Sequence, residues 1–204
     1  MSDIKANKKN NRTLIAIIVV SVLPIAAAYF MFFTGIGVPE HTVNAGRLLG
    51  NPVSLSSLLE EDNAEFLQHI QQDKKWRLLI PISDECNEAC ELNLYTTRQV
   101  HIRLAQKSVR VERVAVNIGG TVGLRIYNEI KAEHPKLKFI NLDAESWQEW
   151  LSQSETALSA EQEHFYLLVD QEGNAMMAYH SDVQGNDLLK DLKRALKYSI
   201  DFQK

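Results

Sequence analysis

The chain has 204 residues, of which 45% are hydrophobic and 24% are charged. These fractions are typical of a globular protein, and they exclude a disordered or collagen-like chain. The formal net charge of -4 excludes a generally basic protein that coats nucleic acid, so no nucleic-acid partner is expected. Two cysteines are too few for a disulfide-stapled miniprotein or for a zinc site with four thiolates.

An uncharged apolar stretch over residues 13–35 is long enough to span a bilayer, which takes about 20 helical residues. Four Lys and Arg residues precede it, whereas the first charged residue after it is Glu40. This asymmetry predicts a single transmembrane anchor with residues 1–12 in the cytoplasm and the remaining chain in the periplasm of a bacterium-like cell. A cleaved signal peptide is the alternative, because Ala26–Ala28 offers a cleavage pattern, but the apolar run continues beyond it.

Residues 36–56 contain Gly and Pro without sustained periodicity and are predicted to form a stalk or linker. Residues 57–204 are the predicted folded domain, and its first helix is expected over residues 57–72 from the spacing of apolar residues. Strand and helix patterns then alternate. The predicted strands cover residues 76–82, 109–116, 137–142, 164–170 and 175–179. The predicted helices cover residues 86–106, 122–134, 144–152 and 187–200.

The order of these elements favours an α/β, thioredoxin-like domain. Parallel strands joined by helices come first, and an antiparallel hairpin follows around the turn sequence QEGN. An amphipathic helix closes the domain. A chain of this length can bury a hydrophobic core without disulfide staples.

The two cysteines form a CxxxC motif, Cys86 and Cys90, between the first core strand and its helix. Residues four apart share a helix face, so both sulfur atoms can point the same way. Cys86 is expected at the helix N-terminus, where unpaired N–H groups stabilise a thiolate, and Cys90 is expected one turn deeper. The pair can form a redox-active disulfide, or it can offer two soft ligands suited to Cu(I). A static structural disulfide and two buried thiols that only pack are the alternatives.

Four acidic residues surround the motif: Asp84, Glu85, Glu88 and Glu91. Negative charge disfavours a thiolate nucleophile but does not oppose a cation, so the pattern favours metal handling over general thiol catalysis. The spacing of the two cysteines also differs from the CxxC spacing of efficient dithiol exchangers.

The segment WRLLIPISDECNEACELNLYTTRQVHIRL resembles the copper chaperones of the Sco/SenC type. The phrases VERVAV, YLLVDQEGNAMMAY and DLLKDLKRALK are similar to single-span proteins of cytochrome oxidase gene clusters and extend the resemblance over roughly residues 45–200. The resemblance implies a membrane-anchored, thioredoxin-fold assembly factor for the copper centre of cytochrome c oxidase. It implies Cu(I) as cargo, subunit II or other oxidase assembly factors as partners, and Cys86 and Cys90 as metal ligands or a redox pair.

Sco-type proteins add a distant histidine ligand that precedes the strand leading into the hairpin. The candidate here is His164, which lies about two residues later than the family pattern places it, without the surrounding aspartate-histidine-serine phrase. His180, after the hairpin, is a weaker candidate. His101 lies three helical turns past Cys90 and is not expected to reach the sulfur atoms.

Thioredoxin-like reductases carry a cis-proline before the corresponding strand, whereas residues 155–165 contain no proline. The resemblance therefore favours a metallochaperone or assembly factor over an enzyme. Two alternatives stay open: a membrane-tethered thiol–disulfide reductase, and a non-catalytic, membrane-anchored interaction protein with a structural disulfide.

Overall fold

A computed structural model of the chain describes residues 3–35, 43–59, 63–158 and 164–202. Contacts between residues divide the chain into two units, residues 1–43 and 44–204. The first unit contains helix α1 (Asp3–Thr34). Within this helix, Asn11–Thr34 has a mean hydropathy of 2.6 and is long and apolar enough to cross a membrane, a property that anchors share with signal sequences.

In its described residues the second unit contains a six-stranded sheet with the strand order β1-β6-β5-β2-β3-β4. The strands are β1 (Arg47–Ser54), β2 (Trp76–Ile82), β3 (Val111–Asn117), β4 (Leu137–Asn141), β5 (Phe165–Val169) and β6 (Asn174–His180). The helices are α2 (Ala64–Gln72), α3 (Glu88–Arg103), α4 (Gly120–Ile130), α5 (Ala144–Ser152) and α6 (Gly185–Tyr198). Strands β2, β3 and β4 are parallel, whereas β5, β6 and β1 each run antiparallel to the preceding neighbour in the sheet.

The central strand β2 is buried along its whole length, and its side chains alternate between two hydrophobic layers. Leu78, Ile80 and Ile82 pack in the layer that contains residues of α3 and α6. Leu79 packs in the layer on the other face, with residues of α2 and α5. Coverage of both faces explains why β2 is a continuous apolar run in the sequence.

The observed order from β2 to α6 confirms the predicted α/β, thioredoxin-like fold. Each parallel crossover carries one helix, α3 or α4, and the hairpin β5-β6 follows with α6 behind it. The observed elements differ from the predictions mainly at their ends. Helix α3, for example, begins at Glu88 rather than at Cys86.

Strand β1 corrects the assignment of residues 36–56 to a stalk or linker. Residues 47–54 of that segment form an edge strand that pairs with β6 through a register irregularity. Only Leu49 and Val53 of the strand are buried, and Pro52 cannot donate a ladder hydrogen bond, so the period-two pattern of an ordinary strand is missing. Residues 36–42 of the predicted linker lie outside the described residues.

The chain leading into β1 is fixed by Asp191, a buried carboxylate of α6. Its Oδ2 atom accepts hydrogen bonds from the backbone N–H groups of Ala45 (2.8 Å) and Gly46 (3.2 Å) and from the Tyr179 hydroxyl (3.1 Å). A Cβ atom at Gly46 would lie 2.5 Å from the Tyr179 ring, so a larger residue cannot occupy this position without displacement. The segment before β1 therefore packs as part of the domain.

Candidate functional site

Cys86 and Cys90 are joined by a disulfide, with their Cα atoms 5.2 Å apart. Cys86 precedes helix α3, and Asn87 caps the helix by accepting a hydrogen bond at Oδ1 from the backbone N–H of Ala89 (2.9 Å). Cys90 lies in the first helical turn. Because Cys86 is outside the helix, its side chain can turn toward Cys90 and close the bond.

The two sulfur-bearing residues differ in their access to solvent. Cys90 is 2% exposed and packs in the layer between the sheet and helices α3 and α6. Cys86 is half-buried and lies at the border of the same layer. An incoming thiol or thiolate therefore reaches Cys86 more readily than Cys90.

The surroundings of the disulfide are acidic. The side chains of Asp84, Glu85, Glu88 and Glu91 are exposed around the start of α3. Ser83 is the first residue after β2. It is buried, and its hydroxyl has no hydrogen-bond partner in the described residues. Sequence reasoning did not single out Ser83, because nothing in its neighbours indicates that this hydroxyl is buried.

The loop after β3 packs directly against the loop that carries the cysteines. The backbone N–H groups of Ile118 and Gly119 both donate to the carbonyl of Ile82, each at 3.0 Å. A Cβ atom at Gly119 would lie 2.4 Å from the Asp84 nitrogen and 2.5 Å from the Ser83 carbonyl carbon. Gly119 therefore supports the disulfide loop, a contact between two loops that are distant in the sequence.

His164 lies at the same edge of the sheet as the disulfide. Leu79 of β2 pairs with Leu167 of β5, and continuing this antiparallel register places His164 opposite Ile82, the last residue of β2. Alternation along β5 places His164 on the face of Tyr166, which packs in the layer that contains Cys90. The carbonyl of His164 accepts a hydrogen bond from Ser181 (3.2 Å), which continues the β5-β6 ladder.

The other two histidines considered as ligands, His180 and His101, lie away from the disulfide. His180 pairs with Phe165 in the hairpin, and its ring contacts the Phe165 ring on the opposite face of the sheet at a centroid distance of 6.4 Å. His101 lies near the end of α3, where its Nε2 atom is 2.9 Å from the carbonyl oxygen of Val111. Within the described residues, no three His, Cys, Asp or Glu side chains are close enough together to hold a metal ion.

The side chains that could hold a soft metal ion are therefore those of Cys86 and Cys90, joined here as a disulfide at the start of α3, with His164 at the same sheet edge. Once reduced, Cys86 and Cys90 remain close because the helix cap and the β2 strand fix the backbone on both sides of Cys86. Two thiolates are suitable ligands for Cu(I), which prefers soft sulfur donors. The disulfide form has no thiolate to offer, so reduction must precede any metal binding.

Comparison with solved structures shows the same fold in Sco proteins. The copper-bound ScoI of Arabidopsis thaliana is 16% identical, with a TM-score of 0.53, and the match covers 74% of this chain and 99% of that chain. Yeast Sco1 is 12% identical, with a TM-score of 0.52, and the match covers 75% of this chain and 97% of that chain. These likenesses confirm the Sco-like thioredoxin fold that the sequence predicted.

No curated protein matches the sequence. A family model matches residues 76–199, which extend from β2 through the helix that closes the domain and include the CxxxC motif. This range covers more than half of the chain. The chain therefore belongs to the family described as transmembrane-like, thioredoxin-like, C-terminal domain.

Proposed function

We propose that this chain is a Sco-like assembly factor of cytochrome c oxidase, held in the inner membrane by its N-terminal helix with the thioredoxin-like domain in the periplasm. In this role Cys86 and Cys90 hold or deliver Cu(I), or reduce the copper-site cysteines of subunit II. The observation that carries the proposal is a CxxxC pair at the carboxyl end of the central strand, with one sulfur accessible and the other protected. Copper-bound structures of the Arabidopsis and yeast Sco proteins, which share the fold, support it.

In the copper branch of the proposal, the reduced protein holds Cu(I) between the sulfur atoms of Cys86 and Cys90. The acidic loop around the pair attracts a cation, whereas it disfavours a free thiolate nucleophile, which favours metal binding over random disulfide exchange. A partner thiolate displaces one cysteine at a time, so copper passes from sulfur to sulfur without leaving its ligands. His164 is the proposed third ligand of the reduced form, since in the disulfide form no three His, Cys, Asp or Glu side chains of the described residues are close enough together to hold a metal ion.

In the redox branch, the Cys86 thiolate attacks a disulfide of the partner and releases one partner thiolate. Cys90, after losing its proton, then attacks Cys86 in the mixed disulfide. The second partner sulfur leaves as a thiolate, and the Cys86–Cys90 disulfide seen in the structure forms. Two electrons move to the partner, which becomes a dithiol, and a thiol reductant must restore the starting state.

The copper branch is tested by anaerobic Cu(I) titration of the reduced full-length protein in a neutral detergent. We expect one Cu(I) per chain in the wild type and loss of tight binding in Cys86→Ser and in Cys90→Ser. The reduced wild type is the matched control for folding, because it also lacks the disulfide. If the wild type binds Cu(I) no more tightly than the serine variants, the copper branch is wrong.

The role of His164 is tested in the same titration with His164→Ala. The matched control is His180→Ala, since His180 lies on the opposite face of the sheet and its ring contacts Phe165. We expect weaker Cu(I) binding only in His164→Ala. Equal affinities for both variants would restrict the site to the two cysteines.

Equilibrating the disulfide with glutathione separates a reductase from a non-catalytic interaction protein with a structural disulfide. A reductase requires a disulfide that exchanges readily at Cys86, whereas a structural disulfide resists reduction by the glutathione pool. A protein that resists reduction, and that binds no Cu(I) after forced reduction, would be a non-catalytic interaction protein.

A further inference from the structure

A second cluster of chemically distinctive side chains lies along the far half of α3. It surrounds a pocket of about 320 Å³, and the cationic residues that line it are Arg98, Arg113 and Lys136. Among the described residues the lining includes no carboxylate. Arg98 follows Cys90 by eight residues, about 12 Å along the helix axis, so this pocket is distinct from the disulfide site.

Arg113 is the buried cation of this pocket, with 2% of its surface exposed. Its Nη2 atom donates to the carbonyl of Leu94 (2.8 Å), and its Nε and Nη2 atoms donate to the hydroxyl of Thr97 (3.2 and 3.1 Å). A further contact joins Nη2 to the Nδ1 atom of His134 (3.2 Å). All of these acceptors are neutral, so the protein's hydrogen bonds solvate the guanidinium without neutralising its charge.

The nearest acidic side chain in sequence does not compensate Arg113. Glu112 lies on the opposite face of β3, where it pairs with Arg77 (3.1 Å) and His69 (2.9 Å). The ion pairs found in the described residues involve none of the three cations of the pocket. A buried charge without a counterion is unfavourable, and a bound anion would relieve the imbalance.

The protonation states of the lining agree with a positive potential. Burial, followed by the charges of Arg113 and Arg98, lowers the pKa of His134 to about 4, and the exposed carboxylate of Glu133 opposes this only in part. Burial and then Arg98 lower the pKa of Arg113 to about 10. Because a guanidinium can only donate, Nδ1 of His134 is the acceptor and its Nε2 carries the proton.

We propose that this pocket binds an oxyanion of the phosphate class, held by Arg113, Arg98 and Lys136. A phosphate dianion offers several acceptor oxygens and a negative charge to pair with these cations, and guanidinium groups bind it through paired N–H donors. The pocket volume lies at the small end of the range for ligand sites, which leaves room for an organic substituent. Ile102 and Pro135 provide the apolar part of the lining.

The site also accounts for residues 94–100 (LYTTRQV), which take no part in the disulfide chemistry. Thr97 holds the guanidinium of Arg113, and Arg98 lines the pocket beside it. A soluble phosphate ester and the headgroup of an anionic phospholipid share the required chemistry. The inference is independent of copper binding, since none of its residues is part of the CxxxC loop.

The test is a titration of the full-length protein in a neutral detergent with inorganic phosphate. Binding is monitored by NMR chemical shifts. Sodium chloride is exchanged for phosphate so that the ionic strength stays constant. We expect saturable binding that weakens by about tenfold or more in the double variant Arg98→Gln, Lys136→Gln. The matched control is Lys193→Gln, which removes an exposed charge of α6 that does not line the pocket. Its affinity should stay within about twofold of the wild type.

The proposal is overturned if the phosphate shifts do not saturate, or if the double variant and Lys193→Gln bind phosphate equally well. A second arm distinguishes the two sources of the ligand. The titration is repeated in nanodiscs of phosphatidylcholine with and without phosphatidylglycerol. Loss of phosphate binding in the anionic discs identifies the lipid headgroup as the occupant, whereas unchanged binding identifies a soluble phosphate compound, and both results support the site.

Discussion

The contact between Gly119 and the disulfide loop makes a quantitative prediction. A Cβ atom at this position would lie 2.4, 2.5 and 2.8 Å from three backbone atoms of Ser83 and Asp84, so the two loops must separate by roughly 1 Å. The φ angle of Gly119 is -98°, which alanine adopts without strain, so the cost arises from the contact alone. Since backbone atoms cannot rotate away, Gly119→Ala should lower the free energy of unfolding by about 3 kcal/mol.

Gly120→Ala is the matched control for this substitution. Gly120 has a φ angle of +56°, and a Cβ atom there would meet no other atom within 4 Å. Its cost is therefore limited to the left-handed conformation, about 1–2 kcal/mol, and it should leave the loop at Ser83 and Asp84 in place. The pair of variants separates displacement of the disulfide loop from simple backbone strain.

Two assays on the full-length protein compare the variants. Urea unfolding followed by tryptophan fluorescence reports stability, since all three tryptophans lie beyond residue 75. Equilibration with glutathione reports the disulfide potential, where a tenfold change in the equilibrium corresponds to about 30 mV. We expect a shifted potential in Gly119→Ala and an unchanged one in Gly120→Ala. Equal stability losses together with equal potentials would refute the argument that Gly119 positions the cysteine loop.

Three further substitutions test the buried polar groups by urea unfolding. Glu112→Gln leaves Arg77 buried without its carboxylate partner and should lower stability by about 3–5 kcal/mol; a loss below about 1 kcal/mol would contradict this. The pKa of His134 is about 4 when folded and near 6.5 when unfolded, so stability should fall by about 1–3 kcal/mol as the pH drops from 6.5 to 4. His134→Gln should flatten that pH dependence. Asp191→Ala leaves three donors, including the Tyr179 hydroxyl, without their acceptor and should cost about 3 kcal/mol; faster proteolysis ahead of β1 should accompany the loss.

Most of the fold could be predicted because its signals are local. Strand β2 is a continuous apolar run, α6 has a regular apolar stripe, and the turn between β5 and β6 contains Gly173 at a φ angle of +92°. Strand β1 could not be predicted in this way. It buries only Leu49 and Val53, and it forms because β6, at least 120 residues later, offers an open edge.

The candidate site divides along the same line. The position of Cys86 before the helix and Cys90 within its first turn depends on nearby residues, so the sequence predicts it. The support from Gly119 depends on how two loops meet at the sheet edge. One feature of the sequence indicates the cationic pocket. Alternation in VRVERVAV places Arg113 on the same face as the apolar Val111, and a charged residue on a buried face needs a polar or anionic partner.

The two sites on α3 differ in charge as well as in place. Exposed carboxylates surround the cysteines at the start of the helix, and Arg98 of the cationic pocket follows Cys90 by about 12 Å along the helix axis. At physiological ionic strength the screening length is about 8 Å, so charges at one site act only weakly on exposed charges at the other. A substitution of Arg98 should therefore report on the pocket without disturbing Cys86. The same separation makes the two proposals independently testable, since a substitution at one site leaves the charges at the other in place.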